Sequence, residues 1–417
     1  MSNEYRECVL GDIGKISMCK RILKNQTSES GEIPFYKIAS FGGIADCFIS
    51  KELFEEYKNK YSYPNKGDIL ISAAGTLGRT VIFDGKPSYF QDSNIVWIDN
   101  DETKVCNNYL YYFYQTKPWI KTSGSTIDRL YNDNIRNIKI KYPMDINEQK
   151  KIINPLKLID DKIETNNKIN TELEAMAKTI YDYWFLQFEF PNEEGKPYKS
   201  SGGKMVWNEE LKREIPEGWE CKKISELCSF SNGINYDKNE IGDKNYKIIN
   251  VRNITSSSIL LDSNDLDEIN LLSSQAEKYI IGSSDILVAR SGSPGAIRLL
   301  YSSEKDIIYC GFIIKCSPNN DDHRLFLTYS LKILEGSNAT KTGGSIMQNV
   351  SQDTLKQVRI CLPTEDIIDK FNNTVNPIFQ KMQQIINENK ELTSLQNFLL
   401  PLLMNGQVGF KEVGLAL

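Results

Sequence analysis

Histidine is almost missing from this chain: His323 is the only one in 417 residues. A Ser-His-Asp relay would depend on it, and no Gly-x-Ser-x-Gly elbow accompanies it. His323 stands among Asp321, Asp322 and Arg324 in a polar stretch and reads as structural. The nine cysteines are odd in number and none are spaced Cys-x-x-Cys, so no zinc framework is expected and free thiols in a reducing cytoplasm are. Absence of Gly-x-x-x-x-Gly-Lys-Ser/Thr excludes a P-loop, and there is no Asn-Pro-Pro-Tyr loop of the methyl-transfer kind. Glu102-Thr103-Lys104 has the Glu-x-Lys outline of a nuclease half-motif, but so short a match is common by chance and is not repeated. No apolar run approaches the roughly 18 to 20 residues of a membrane span. The opening Met-Ser-Asn-Glu-Tyr-Arg-Glu-Cys holds no secretory core, so a cytoplasmic protein is expected. Charge of one sign is also scarce: 50 basic groups face 55 acidic ones, and neither half is a polycation. A nucleic-acid binder of this composition needs local basic patches, with partner subunits adding phosphate contacts.

What the chain does have is a duplication. Gly67-Asp-Ile-Leu-Ile-Ser72 returns as Ser284-Asp-Ile-Leu-Val-Ala289, each followed by a glycine loop, Gly75-Thr-Leu-Gly78 and Gly292-Ser-Pro-Gly295. Lys121-Thr-Ser-Gly-Ser125 returns as Lys341-Thr-Gly-Gly-Ser345, and Asn154-Pro155 as Asn376-Pro377. The offset drifts from 217 to 220 to 222. A period near half the chain means two similar domains; a solenoid repeats every roughly 20 to 50 residues. Two copies of one surface suit a partner that itself repeats.

Residues 1–146 and 205–366 read as globular α/β units of short strands bounded by Gly, Pro and Asp turns. Residues 147–190 and 367–417 read as helical, and 191–204 as a linker rich in Gly, Lys, Glu and Pro. The first helix carries a heptad seam of Ile152, Leu156, Ile159, Ile163, Asn166, Asn170, Leu173, Ala177, Ile180 and Trp184. The second seam runs Phe371, Val375, Ile378, Met382, Ile385, Asn389, Leu392, Gln396, Leu399 and Leu403. Pro155 and Pro377 sit either in a first helical turn or inside a helix that starts earlier. The order globe, helix, globe, helix favours an α+β fold in which the helices pack as an antiparallel coiled coil, about 55 to 60 Å long. The globes would then be related by a pseudo-twofold axis and spaced by the helices. Asn or Gln in the seam would fix register, or else face solvent or another protein.

The chemistry left to place is basic and hydroxyl loops. Arg79 and Arg290 flank the glycine loops, with Ser291, Ser293 and Arg298 nearby. Lys121, Thr122, Ser123 and Ser125, and again Lys341, Thr342 and Ser345, bring ammonium, hydroxyl and backbone amide together. Lys37, Lys247, Arg252 and Asn253 follow matching Tyr-Lys-Ile starts at 36 and 246. Such groups position phosphates, while Arg and Asn also read base edges.

This pattern resembles the specificity (S) subunit of Type I restriction-modification systems. The resemblance covers nearly the whole chain. Met205-Val-Trp and Ile215-Pro-Glu-Gly-Trp-Glu220 resemble the opening of a target-recognition domain. Asn147-Glu-Gln-Lys-Lys-Ile152 and Ile159-Asp-Asp-Lys-Ile163 resemble the passage into the conserved helix, where the second copy departs with Glu365-Asp-Ile-Ile-Asp369. The resemblance implies a non-catalytic DNA reader whose two target-recognition domains each read half of a bipartite site. It implies two methyltransferase subunits on the helices and a restriction subunit that joins them. S-adenosylmethionine, magnesium and ATP would belong to those partners, with no cofactor and no metal in this chain. A component of a Type IIB or IIG-like system, or a protein scaffold without DNA affinity, are the alternatives at this point.

Overall fold

The computed structural model describes residues 4–119, 129–237, 241–256, 258–302, 304–333, 335, 341–342, 345–346 and 349–408. The chain divides into two compact units, residues 1–162 with 392–417, and residues 163–391. Among the described residues no helix is long and apolar enough to cross a membrane.

In the first unit a four-stranded antiparallel sheet runs Gly14–Ser17, Ile95–Asn100, Ile69–Ser72, Thr80–Ile82. A smaller sheet runs Phe48–Ile49, Ile33–Tyr36, Tyr89–Phe90, its last pair parallel. Tyr5–Val9 pairs with Lys139–Pro143 and leads the globe into its helix. The second unit repeats each of these. Its larger sheet runs Cys228–Asn232, Ile313–Pro318, Ile286–Ala289, Ile297–Leu299, and its smaller one Asp267–Leu271, Lys244–Ile249, Ile307–Tyr309. Glu220–Lys223 pairs with Arg359–Leu362 before the second long helix. Strand for strand, the order and the one parallel pair are the same.

The repeated Asp-Ile-Leu has a physical cause. Asp68 and Asp285 are both buried at the start of a central strand. Each carboxylate accepts the backbone N–H three residues earlier, Asn65 at 2.7 Å and Gly282 at 2.7 Å, which closes the turn entering the strand. Burial pushes the Asp68 carboxyl above the usual range. The Ile and Leu that follow fill both faces of a fully buried strand.

The long helices are Ile146–Tyr181, which passes into a π-helical turn at Asp182–Leu186, and Glu365–Met404. Pro155 and Pro377 lie inside them, so each helix starts earlier than a proline-first reading would place it. Both helices are shared between the units. Their pairing is antiparallel within the second unit: Asn166 faces Glu388 and Asn389, and Asn170 faces Met382. Within the first unit Gln396 donates to Asp160 at 2.7 Å. Leu156, Ile159, Met382 and Ile385 are buried, and Ile163, Asn170, Leu173, Ile378, Leu392 and Leu399 are half-buried. Past Ala177 the heptad reading fails. Tyr181 and Phe185 take the buried positions, while Ile180 and Trp184 fall to the flank. A 3.6-residue helix drifts against a 3.5-residue seam, and the π-helical turn adds to the drift.

Asn166 is 1% exposed, and its amide donates to Glu388 at 2.9 Å and Asn389 at 2.8 Å. Asn389 in turn donates to Asn167 at 3.0 Å. This polar cluster satisfies itself across the seam and selects one register, because a slip would bury its groups unpaired. Asn166→Ala is expected to cost about 1–3 kcal/mol by leaving those acceptors unmet. Urea unfolding checks this: an unchanged midpoint would remove the cluster from the coil's energetics.

Candidate nucleic-acid interface

The two glycine loops join equivalent strands and share one backbone. Ser72 N donates to Arg79 O at 2.8 Å, and Ala289 N to Ala296 O at 2.8 Å. Gly78 N reaches Ser72 O at 2.9 Å, and Gly295 N reaches Ala289 O at 2.9 Å. Positive φ recurs at Gly75 and Gly292, and at Gly78 and Gly295. Side chains are excluded as well: a Cβ on Gly78 would lie 2.1 Å from Trp119, and one on Gly292 would lie 2.5 Å from Val251. These hairpin loops present backbone at the end of a rigid sheet and open no helix.

These shared bonds fix which residues of the two loops match. Arg79 corresponds to Ala296 and Arg290 to Ala73, so the two arginines stand on opposite limbs of their loops. Arg79 donates to Phe41 O at 2.7 Å and pins the turn at residues 40–43. The Arg290 side chain is exposed and enters no hydrogen bond or ion pair among the described residues. The Tyr-Lys-Ile match is also out of register. Gln91 N bonds Tyr36 O in the first unit, as Cys310 N bonds Ile249 O in the second. Tyr36 therefore corresponds to Ile249, Lys37 to Asn250 and Ser40 to Asn253. The turns agree in detail: Lys37 N donates to Ser40 Oγ at 3.2 Å, and Asn250 N to Asn253 Oδ1 at 2.8 Å. A three-residue coincidence outweighed strand pairing that sequence does not display.

The other candidates divide by their partners. Asn253 is 2% exposed and its amide donates to Asp265 O at 2.7 Å, so it braces a turn and is out of reach of a base edge. Arg252 forks onto Asp265 at 3.0 Å and Asp267 at 2.8 Å. Those carboxylates, Asp267 first, raise its pKa further. Lys247 pairs with Glu304. Arg298 is largely buried and pairs with Glu335 at 2.7 Å, a contact that ties its strand to the turn following the helix Arg324–Lys332. Lys37 is half-buried and makes no ion pair among the described residues. Ser291 and Ser293 lie half-buried in the second loop. The backbones of Lys341–Thr342 and Ser345–Ile346 pair antiparallel, with their side chains outside the described residues. Lys121, Thr122, Ser123 and Ser125 also lie outside the described residues. Of the described second-unit cations proposed from sequence, Arg290 alone faces solvent unpaired.

His323 donates or accepts at Glu365, 3.0 Å away, and so ties a short helix to the start of the second long one. Among the described residues no three His, Cys, Asp or Glu side chains gather as a metal site. Sequence reasoning passed over Phe312, which is exposed beside Arg290, because a lone Phe between a glycine and an isoleucine reads as core.

A doubled sheet carrying glycine-hairpin loops, each copy leading into a long helix, defines a recognition protein built by duplication. Comparison with known proteins places it further. The family profile described as the Type I restriction modification DNA specificity domain matches residues 3–175 and 216–397. The chain therefore belongs to that family and is a DNA sequence-specificity subunit of the type I restriction-modification kind. It is 27% identical to the type I restriction enzyme MjaIX specificity subunit of Methanocaldococcus jannaschii, over 98% of each chain. It is 63% identical over 163 residues to a putative type I restriction enzyme specificity subunit, S.HindORF215P, of Haemophilus influenzae, covering 39% of this chain and 41% of that one. A crystal structure of the type I restriction-modification S subunit from M. genitalium shares the fold, with a TM-score of 0.51, 16% identity and 96% of both chains covered.

Proposed function

We propose that each unit reads one half of a bipartite DNA site through its glycine hairpin and the loops around it. Two methyltransferase subunits would dock on the paired helices, and a restriction subunit would join them. The observation that carries this reading is the shared backbone of the two hairpin loops, with different side chains mounted on each. A common frame brings both loops to a phosphate backbone in the same way, and the unlike side chains let each half-site differ. Neither loop brings together a nucleophile, a base and an orienting group. Catalysis would thus fall to the partners, which would carry S-adenosylmethionine, magnesium and ATP. A formal charge of -5 fits a reader that relies on those partners for part of its phosphate contact.

Co-expression with an adenine methyltransferase subunit, followed by genome-wide mapping of methylated adenines, tests the reading. One split motif is the expected outcome, and methylation that ignores this chain would end it. In the same complex, Arg290→Ala or Lys341→Ala is expected to weaken DNA binding and reduce the salt slope by about one unit each. An unaltered affinity and slope would remove those residues from the interface.

A further inference from the structure

Phe312 is 59% exposed on a turn that is otherwise tightly fixed. Ile313 N closes the turn onto Cys310 O at 3.0 Å, and Gly311 N donates to Ile234 O at 2.7 Å. A Cβ on Gly311 would lie 2.1 Å from Asn235 Oδ1, so a larger residue there would have to push the Asn235 side chain aside. On either side Cys310 and Ile313 are buried. A mobile loop that exposes a phenyl ring can fold it away, but this turn cannot. The ring is held in water, forgoing the gain that burial of an aromatic side chain brings.

Its neighbour gives the exposure a purpose. Arg290 N donates to Phe312 O at 2.9 Å, continuing the register in which Ala289 faces Ile313. Directly opposed residues of antiparallel strands project to the same face. The exposed Arg290 and Phe312 side chains therefore leave neighbouring backbones on the same face, and Val350 N donating to Arg290 O at 2.8 Å also holds the segment in place. Lys247, Arg252 and Arg298 are occupied by carboxylates, which leaves this cation available for an external anion. A flat apolar face beside a fork of N–H donors matches a nucleotide unit: base against ring, phosphate against arginine. The first unit lacks the pair. Its equivalent positions are Ala73, which is buried, and Asn94, joined by the same bond at 2.7 Å.

We propose that Phe312 is a wedge that enters a base step within the half-site read by the second unit, with Arg290 clamping the adjacent phosphate. This rests on the DNA-reading function proposed above and adds a residue, a mode of contact and an asymmetry between the two half-sites. A rigid turn suits the role, because a wedge must unstack bases without yielding itself.

The test uses the whole chain in its methyltransferase complex. Duplexes carry the mapped site with 2-aminopurine placed successively along each half, and matched duplexes have one half scrambled. The wild-type complex is expected to brighten the probe at one step of one half-site. Phe312→Ala should abolish that signal and weaken binding by about tenfold or more while leaving the salt slope unchanged. Phe312→Trp should restore both, and Arg290→Ala should lower the slope by about one unit. Because the ring is exposed, the melting temperature of Phe312→Ala should match that of the wild type. The tenfold penalty should vanish once the second unit's half-site is scrambled and persist when the other half is. Wild-type affinity and probe signal in Phe312→Ala would overturn the wedge alone. Loss of methyltransferase co-purification in that variant would overturn it in favour of a protein contact. A wild-type complex with no preference for its mapped site would overturn the specificity reading and the wedge with it.

Discussion

Deleting residues 163–169 from the first long helix together with 385–391 from the second is expected to change the gap in the methylated motif while both half-site sequences stay the same. Each long helix has residues in both units, so under the proposed reading a shorter helix pair is expected to alter the gap between the half-sites. Seven helical residues span about 10 Å, on the order of three base pairs. The segments are chosen in pairs because Asn166 lies in one and Glu388 and Asn389 in the other. Removing the cluster whole strands none of its own members, and a full heptad preserves which side of each helix faces its partner. Methylome sequencing reads the outcome directly. A motif with its original gap would refute any metering role for the helices. A single-helix deletion serves as the contrast: it strands the cluster and is expected to unfold the coil rather than reset the gap.

The second large effect is on stability. Phe371 is fully buried where the second long helix meets the first, with its ring centroid 4.9 Å from Phe185, 5.9 Å from Trp184 and 6.3 Å from Tyr181. Phe371→Ala empties a site that an aromatic cluster closes on several sides. A loss of about 3–5 kcal/mol is expected, combining lost burial with a cavity that the rings cannot collapse to fill. That is a large share of the roughly 5–15 kcal/mol that keeps a domain folded. Denaturant unfolding should show a lower midpoint for the second unit. Wild-type unfolding would mean that the cluster is looser than its centroid distances imply.

The helical part of this architecture was open to reading from sequence because it is periodic. Apolar residues at alternating spacings of three and four declare a seam, but the reading slipped past Ala177, where the first helix nears its π-helical turn, and in the second helix, where Phe379 and Leu400 are buried in place of the half-buried Ile378 and Leu399. The duplication was equally legible, since Asp68 and Asp285 have to be repeated for the same turn to close. The interface was far less so. Which arginine is available depends on carboxylates distant in the chain, as with Arg298 and Glu335 or Lys247 and Glu304. The residue that aligns with Lys37 follows from hydrogen bonds between strands, not from resemblance of short words. Phe312 stayed hidden because the turn that carries it is fixed by a bond distant in the chain, from Gly311 N to Ile234 O.

The fourth residue of each long helix is buried, but with opposite chemistry. Gln149 is fully buried, accepting from Cys106 N at 2.9 Å and donating to Lys104 O and Pro143 O at 2.8 Å each. The second helix has Ile368 at the matching place, also fully buried, with no polar group to satisfy. Apolar contacts lose strength on cooling, whereas an amide clamp does not share that temperature dependence. On cooling, the isoleucine contact is expected to lose more of its strength than the glutamine clamp, which amide exchange at the two helix starts in the cold would check.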